Sequence, residues 1–182
     1  MKDMDDAFQR ANLYVSIYIM LSCISRGENI PEEVAEFLEA VGVEVPEPDE
    51  ELAKIFATLS ASMVRTDLTP ASRNQLPHLI RVFMTQAGYE APEAADSLLT
   101  MAAFAARLAI DAYVKQLTDE READRLRRLL TRFLNTHLLP TLHLAKPANQ
   151  TAAKTLTTLT DIIKEDVQDL AKIFQVTVFR LD

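Results

Sequence analysis

Few side chains in this 182-residue chain could do chemistry, and their spacing argues against catalysis. The three histidines, His78, His137 and His143, stand too far apart or lack the neighbours a local metal motif needs. The chain has no H-E-x-x-H, no C-x-x-C and no E-x-x-H pair. Cys23 is the lone cysteine and lies in the apolar run Tyr18-Ile19-Met20-Leu21-Ser22-Cys23-Ile24. It reads as a buried, inert thiol, because a reactive thiolate needs an electropositive and partly open setting. Three isolated glycines cannot write a phosphate-cradling loop, and there is no G-x-S-x-G elbow. The expectation is a binding protein rather than an enzyme, with no cofactor and no metal.

The remaining polar groups suit gripping more than transforming. Glu93 and Asp96 follow Pro92 in Glu93-Ala94-Ala95-Asp96-Ser97. If Pro92 opens a helix, these carboxylates favour its positive end. The alternative is a carboxylate pair facing a guest's arginines, where bidentate contacts are geometrically good. In Asn135-Thr136-His137-Leu138-Leu139-Pro140, the histidine precedes the proline by three residues. It either caps the last carbonyls of a helix that Pro140 kinks or ends, or projects into a groove. Positions 28–51 hold ten acidic residues and no Lys or Arg. That run reads as solubility and helix-start charge, or as a field steering a basic peptide inward.

These groups must be positioned by helices. Only three Gly occur, while 48% of residues are hydrophobic and 25% charged, which suits a folded chain rich in helix formers. The length fits one domain spanning residues 1–182. Apolar spacing predicts a first helix over residues 5–25 that is apolar nearly all round and therefore central. A second helix follows Pro31 and stops at Gly42. Pro48 opens a third, with Leu52, Ile55, Phe56, Leu59 and Met63 on one stripe. Further helices start at Pro77 and stop at Gly88, start at Pro92 and run through Tyr113, and start after Thr118 as N-cap. Asn149 caps the last, whose inner face is Leu156, Leu159, Ile163, Val167, Leu170 and Phe174. Residues 175–182 alternate like a strand and are expected to be an extended tail. The fold class is all-α, a single bundle of six or seven helices.

Charge narrows the partners. A net charge of −8 argues against nucleic acid, and the arginines at 121, 125, 127, 128 and 132 alternate with acids, as on a solvated helix face. An acidic start and an apolar run of only twelve residues predict a cytoplasmic protein without stable membrane insertion. Monomer and homodimer are both open.

In order and over most of its length, including the apolar helix Leu98 to Leu108 and the final helix with Ile163, Glu165, Asp166 and Leu170, the chain diffusely resembles the TorD/DmsD/NarJ family of maturation chaperones for molybdenum-containing redox enzymes. Arg10-Ala11-Asn12-Leu13-Tyr14 looks like that family's opening helix. Glu93 and Asp96 fall where the family often carries E-P-x-D-H, with Ala94 and Ser97 in place of its Pro and His. Phe133 to Pro140 looks like F-x-x-x-H-L-x-P-W, with Thr141 for the Trp. The resemblance implies a TorD-like helical fold and a cytoplasmic chaperone. It would bind the N-terminal signal peptide or apo form of a molybdenum redox enzyme, often a twin-arginine signal, until cofactor insertion and export or assembly. On it, Glu93, Asp96 and His137 line or shape a groove, Pro140 sets its wall and Tyr14 offers an amphipathic contact. The alternative reading is a helical ligand-sensing or regulatory domain holding a small apolar molecule.

Overall fold

The computed structural model describes residues 2–174, with side chains from residue 6 onward; the expected tail at 175–182 lies outside the described residues. The described residues form an all-α bundle, as the composition predicts. The elements are α1 (Lys2–Arg26), α2 (Glu32–Ala40), α3 (Glu50–Thr58), α4 (Ala61–Val64), α5 (Pro70–Gln86), α6 (Leu98–Gln116), α7 (Glu120–Phe133), a π-helical turn (Leu134–Leu138), α8 (Leu139–Leu144) and α9 (Gln150–Phe174). No strand occurs among the described residues; an isolated bridge joins Ser60 to Ser97. No helix among them is long and apolar enough to cross a membrane.

The all-round apolar pattern of α1 has the expected consequence. Tyr14, Ile17, Met20, Leu21 and Ile24 are buried, and α1 packs against α2, α3 and α6. Each fully buried large aliphatic contributes roughly 1.5–3 kcal/mol. Against α1, helix α6 presents a face of small residues, and Ala102, Ala105, Ala106, Ala109 and Ala112 are all buried. Helix α7 buries Ala123, Leu126, Leu130 and Phe133 while Arg121, Arg125, Arg128 and Arg132 stay exposed. Its arginines pair along the helix, Arg125 with Glu122 at 2.7 Å and Arg127 with Asp124 at 2.6 Å. Asn149 caps α9 by accepting from the Ala152 N–H, and Leu156, Leu159, Ile163, Val167 and Leu170 are buried.

Several boundaries differ from the sequence reading, each for a local reason. Asp49 caps α3, and the chain turns extended at Leu59, so Met63 leaves the α3 stripe and sits exposed on α4. Helix α5 starts at Thr69-Pro70, the Thr69 hydroxyl accepting from Ser72 N–H, and runs through Pro77. An interior proline costs about 3 kcal/mol. Burial of Leu76, Ile80 and Met84 on either side of it offsets that. Pro92 opens no helix: residues 93–96 form a turn, and α6 begins after Ser97, whose hydroxyl accepts from Thr100 N–H. The α7 cap is Asp119 rather than Thr118. Gly42 and Gly88 do stop α2 and α5, at φ 92° and 95°, where a β-carbon would be strained. The acidic residues between 28 and 51 are mostly exposed. Three of them find cations nearby: Glu28 with Arg26, Glu44 with Lys154 and Glu50 with Lys54.

Candidate peptide groove

The sequence-predicted residues do not line one groove. Asp96, His137, Pro140 and Tyr14 are all buried, and only Glu93 is exposed. They are better described as the frame around a groove that other residues line.

Asp96 closes the loop before α6 onto the start of α4. Its carboxylate accepts from the Ser62 N–H at 3.0 Å, and its carbonyl accepts from the Ala61 N–H at 2.9 Å. Leu98 N–H donates to the Leu59 carbonyl at 2.9 Å, which completes the clasp. The carboxylate thus satisfies an orphan donor at a helix start from a distant stretch of chain. Glu93 is held through its carbonyl, which accepts from Arg81 Nη2 at 2.9 Å, so its carboxylate stays in solvent. We expect Asp96→Ala to lower stability by about 1–2 kcal/mol, as for lost caps generally, with Asp96→Asn milder. Thermal melts check this; an Ala variant melting like the parent chain would refute the clasp.

Pro140 neither ends nor leaves its helix. The segment before it winds one residue wide, the Leu139 N–H reaching back five residues to the Leu134 carbonyl. Proline has no N–H for the carbonyl four residues earlier, that of Thr136. Arg65, the C-cap of α4 and itself buried, supplies the missing donor through Nη1 at 3.1 Å. The same guanidinium forks onto both oxygens of Asp67 at 2.8 Å, holding that carboxyl below its ordinary range. Thr141, in the position where the resembled motif has tryptophan, is fully buried and donates to the His137 carbonyl at 2.7 Å. Short α4 therefore ties both motif segments together, Asp96 at one end and Thr136 beside His137 at the other.

His137 lies inside an aromatic cluster, with the Phe133 ring at 5.5 Å and the Phe83 ring at 5.8 Å. Its Nδ1 is buried without a partner. Burial, and then the nearby Arg65 charge, push its pKa down to about 4, so the ring is neutral near pH 7. The helix-end cap proposed from sequence is replaced by a neutral core ring. The rings continue outward: Phe133 meets Phe104 at 4.7 Å, and Phe104 meets Tyr89 at 5.4 Å.

That relay of rings ends at the floor of an open groove of about 340 Å³ between α1, the loop after α5, and α6. Met84, Leu99, Ala103 and Phe104 form its apolar floor, and Tyr18 and Tyr89 stand at its sides. Glu90 and Arg107 mark its rim. Tyr89 is fixed by donating its hydroxyl to Asp111 at 2.7 Å, and Arg107 Nε donates to the same oxygen at 2.9 Å. Burial and Asp111 push the Tyr89 hydroxyl far up, so it remains a donor.

Tyr14 does not reach this groove. Its ring is in the core, and its hydroxyl donates to Asp166 at 2.8 Å beside the Arg10–Asp166 pair at 2.7 Å. One turn later on α1, Tyr18 is the tyrosine that lines the groove, a residue sequence reading passed over. Arg65 was also missed, because its partner carbonyl is 71 residues away. Among the described residues, no group of three His, Cys, Asp or Glu is assembled to hold a metal ion. No protein-family model matches the chain, and no curated protein matches it.

Proposed function

We propose that this chain is a cytoplasmic maturation chaperone of the TorD/DmsD/NarJ type. It takes the N-terminal signal peptide or apo form of a molybdenum-containing redox enzyme into the α1/α6 groove and holds it until cofactor insertion and export or assembly. The observation that carries the reading is the groove itself. Its apolar floor suits the hydrophobic stretch of a leader peptide, and Glu90, with Glu93 close by in the same loop, offers carboxylates to arginines. The two segments that resemble the family's motifs brace this groove from behind through α4 and the aromatic relay. The role is binding, with no chemical step.

Isothermal titration with a peptide carrying consecutive arginines and an apolar run tests the reading. Ala103→Trp, which fills the groove, should weaken binding about tenfold or more, since 1.4 kcal/mol is a factor of ten. Glu90→Lys with Glu93→Lys should weaken it further at low salt than at high salt. Unchanged affinity in both variants would remove the groove as the guest site.

The second reading, a ligand-sensing domain, rests on the groove's size, which is at the low end of small-molecule pockets of roughly 300–1,000 Å³. A stoichiometric apolar molecule retained in native mass spectrometry would favour it over the chaperone.

A further inference from the structure

Among the described residues, the exposed large apolar side chains away from α6 and α1 are Met63, Leu79 and Ile173, on three different helices. Helix α9 shows Lys154, Asp161, Glu165, Gln168 and Lys172 outward, and α7 shows its arginines. Helix α6 and its C-cap residue Leu117 instead show Leu99, Ala103, Ile110, Val114 and Leu117, interrupted only by Arg107. At 3.6 residues per turn these six positions fall within about 80° of the helix circumference, along about 27 Å of its length. Ile110 is 38% exposed, Val114 50% and Leu117 56%. Helix α1 extends the strip at both ends. Phe8, 50% exposed, packs on Tyr113 at 5.6 Å, and Tyr18, 36% exposed, sits beside Leu99 and Ala103. A continuous exposed apolar face of this kind is a contact surface.

The strip is also self-complementary. Turned end for end about a point near position 108, it superposes on itself. Leu99 then faces Leu117, Ala103 faces Val114, and the stem of Arg107 faces Ile110. The small residue meets a larger one, and the arginine keeps its Asp111 partner at the strip's edge. The same operation brings Phe8 over Tyr18. A two-fold interface requires this pattern, in which each half supplies what the other half receives.

We propose that the outward face of α6, with Phe8 and Tyr18 of α1, seats a second copy of this chain, the two α6 helices antiparallel across a two-fold axis. A strip about 27 Å long and about two helices, or about 20 Å, wide covers roughly 540 Å² a side, below the roughly 800 Å² a side of stable interfaces and in the range of weak ones. The dimer is therefore a dissociable one. It covers Tyr18, Leu99 and Ala103, so a guest in the groove and a second copy exclude each other. Only that exclusion rests on the proposed function; the dimer does not.

Sedimentation velocity from nanomolar to millimolar chain concentration tests the interface. The parent chain should shift from monomer to dimer. Leu117→Lys and Leu99→Glu, each placing a charge at the helix end that favours it, should stay monomeric, the exposed Leu117→Lys with unchanged melting temperature. Leu79→Glu, an exposed leucine on α5 away from the strip, should still dimerise. Mixing the Leu117→Lys and Leu99→Glu chains should restore a heterodimer, because the new lysine and glutamate then face each other. A parent chain that is monomeric throughout, a dimer indifferent to both strip variants, or a mixture that stays monomeric would each overturn the inference. Titrating the leader peptide into Leu117→Lys separates the two ideas: a dimeric parent with no peptide binding removes the chaperone reading alone. Peptide binding to a chain that never dimerises removes the interface alone.

Discussion

Phe133→Ala should lower unfolding free energy by about 3–5 kcal/mol, the range for truncating a large buried aromatic, and should weaken peptide binding as well. Phe133 is fully buried and touches three rings: Phe104 at 4.7 Å, Phe83 at 5.5 Å and His137 at 5.5 Å. Removing it leaves a cavity at the last turn of α7, directly before the π-helical turn. Neighbours cannot collapse freely into that space, because Arg65 and the Leu134 carbonyl fix the backbone there. Phe104 would lose the ring that supports it beneath the groove. Urea denaturation measures the first effect and titration the second. Phe133→Leu, which keeps most of the volume, should recover much of both losses. A Phe133→Ala chain within about 1 kcal/mol of the parent would mean the aromatic relay is loosely packed.

Acid should destabilise the protein through His137. The folded pKa of about 4 is below the ordinary histidine value of 6.5 because burial, then the Arg65 charge, oppose protonation. Above pH 6.5 both folded and unfolded chains carry the neutral ring, and the group has no effect on stability. As pH falls from 6.5 to 4, the unfolded chain takes up a proton that the folded chain refuses. Stability then falls by about 3 kcal/mol across that window, at about 1.4 kcal/mol per pH unit. Below pH 4 the folded ring protonates too and the loss levels off. Carboxylates add their own pH dependence, so the difference between the parent and His137→Phe isolates the histidine. Phenylalanine fits the ring cluster and carries no unpartnered nitrogen. The parent's stability should fall more steeply than the variant's between pH 6.5 and 4; parallel curves would place His137 in solvent.

Local periodic patterns made much of this fold readable. The α9 stripe and its Asn149 cap, the all-round apolar α1, the glycine stops and the paired arginines of α7 all depend on neighbours within a few residues. What could not be read depends on distant chain. Pro77 and Pro140 read as breaks, yet one is carried through by burial of Leu76, Ile80 and Met84, and the other by a wide turn and a donor from Arg65. Pro92 reads as a helix start, yet backbone bonds to Leu59 and Ala61 keep residues 93–96 in a turn. The same logic governs the site. Asp96, His137 and Pro140 stand out in sequence because their chemistry is unusual for their setting, and that setting is the buried frame. The groove's own residues, Tyr18, Tyr89, Leu99 and Ala103, are ordinary apolar types with nothing in their spacing to mark them.

Hydrogen–deuterium exchange on the chain alone and with a twin-arginine leader peptide is the most direct test of where, and whether, a guest is held. The expected result is slowed exchange confined to residues 87–99, the first half of α6 and the Tyr18 turn of α1, with α9 unchanged. Slowed exchange centred on α2 and α9 instead, or no change at saturating peptide, would contradict the groove as the working site of this protein.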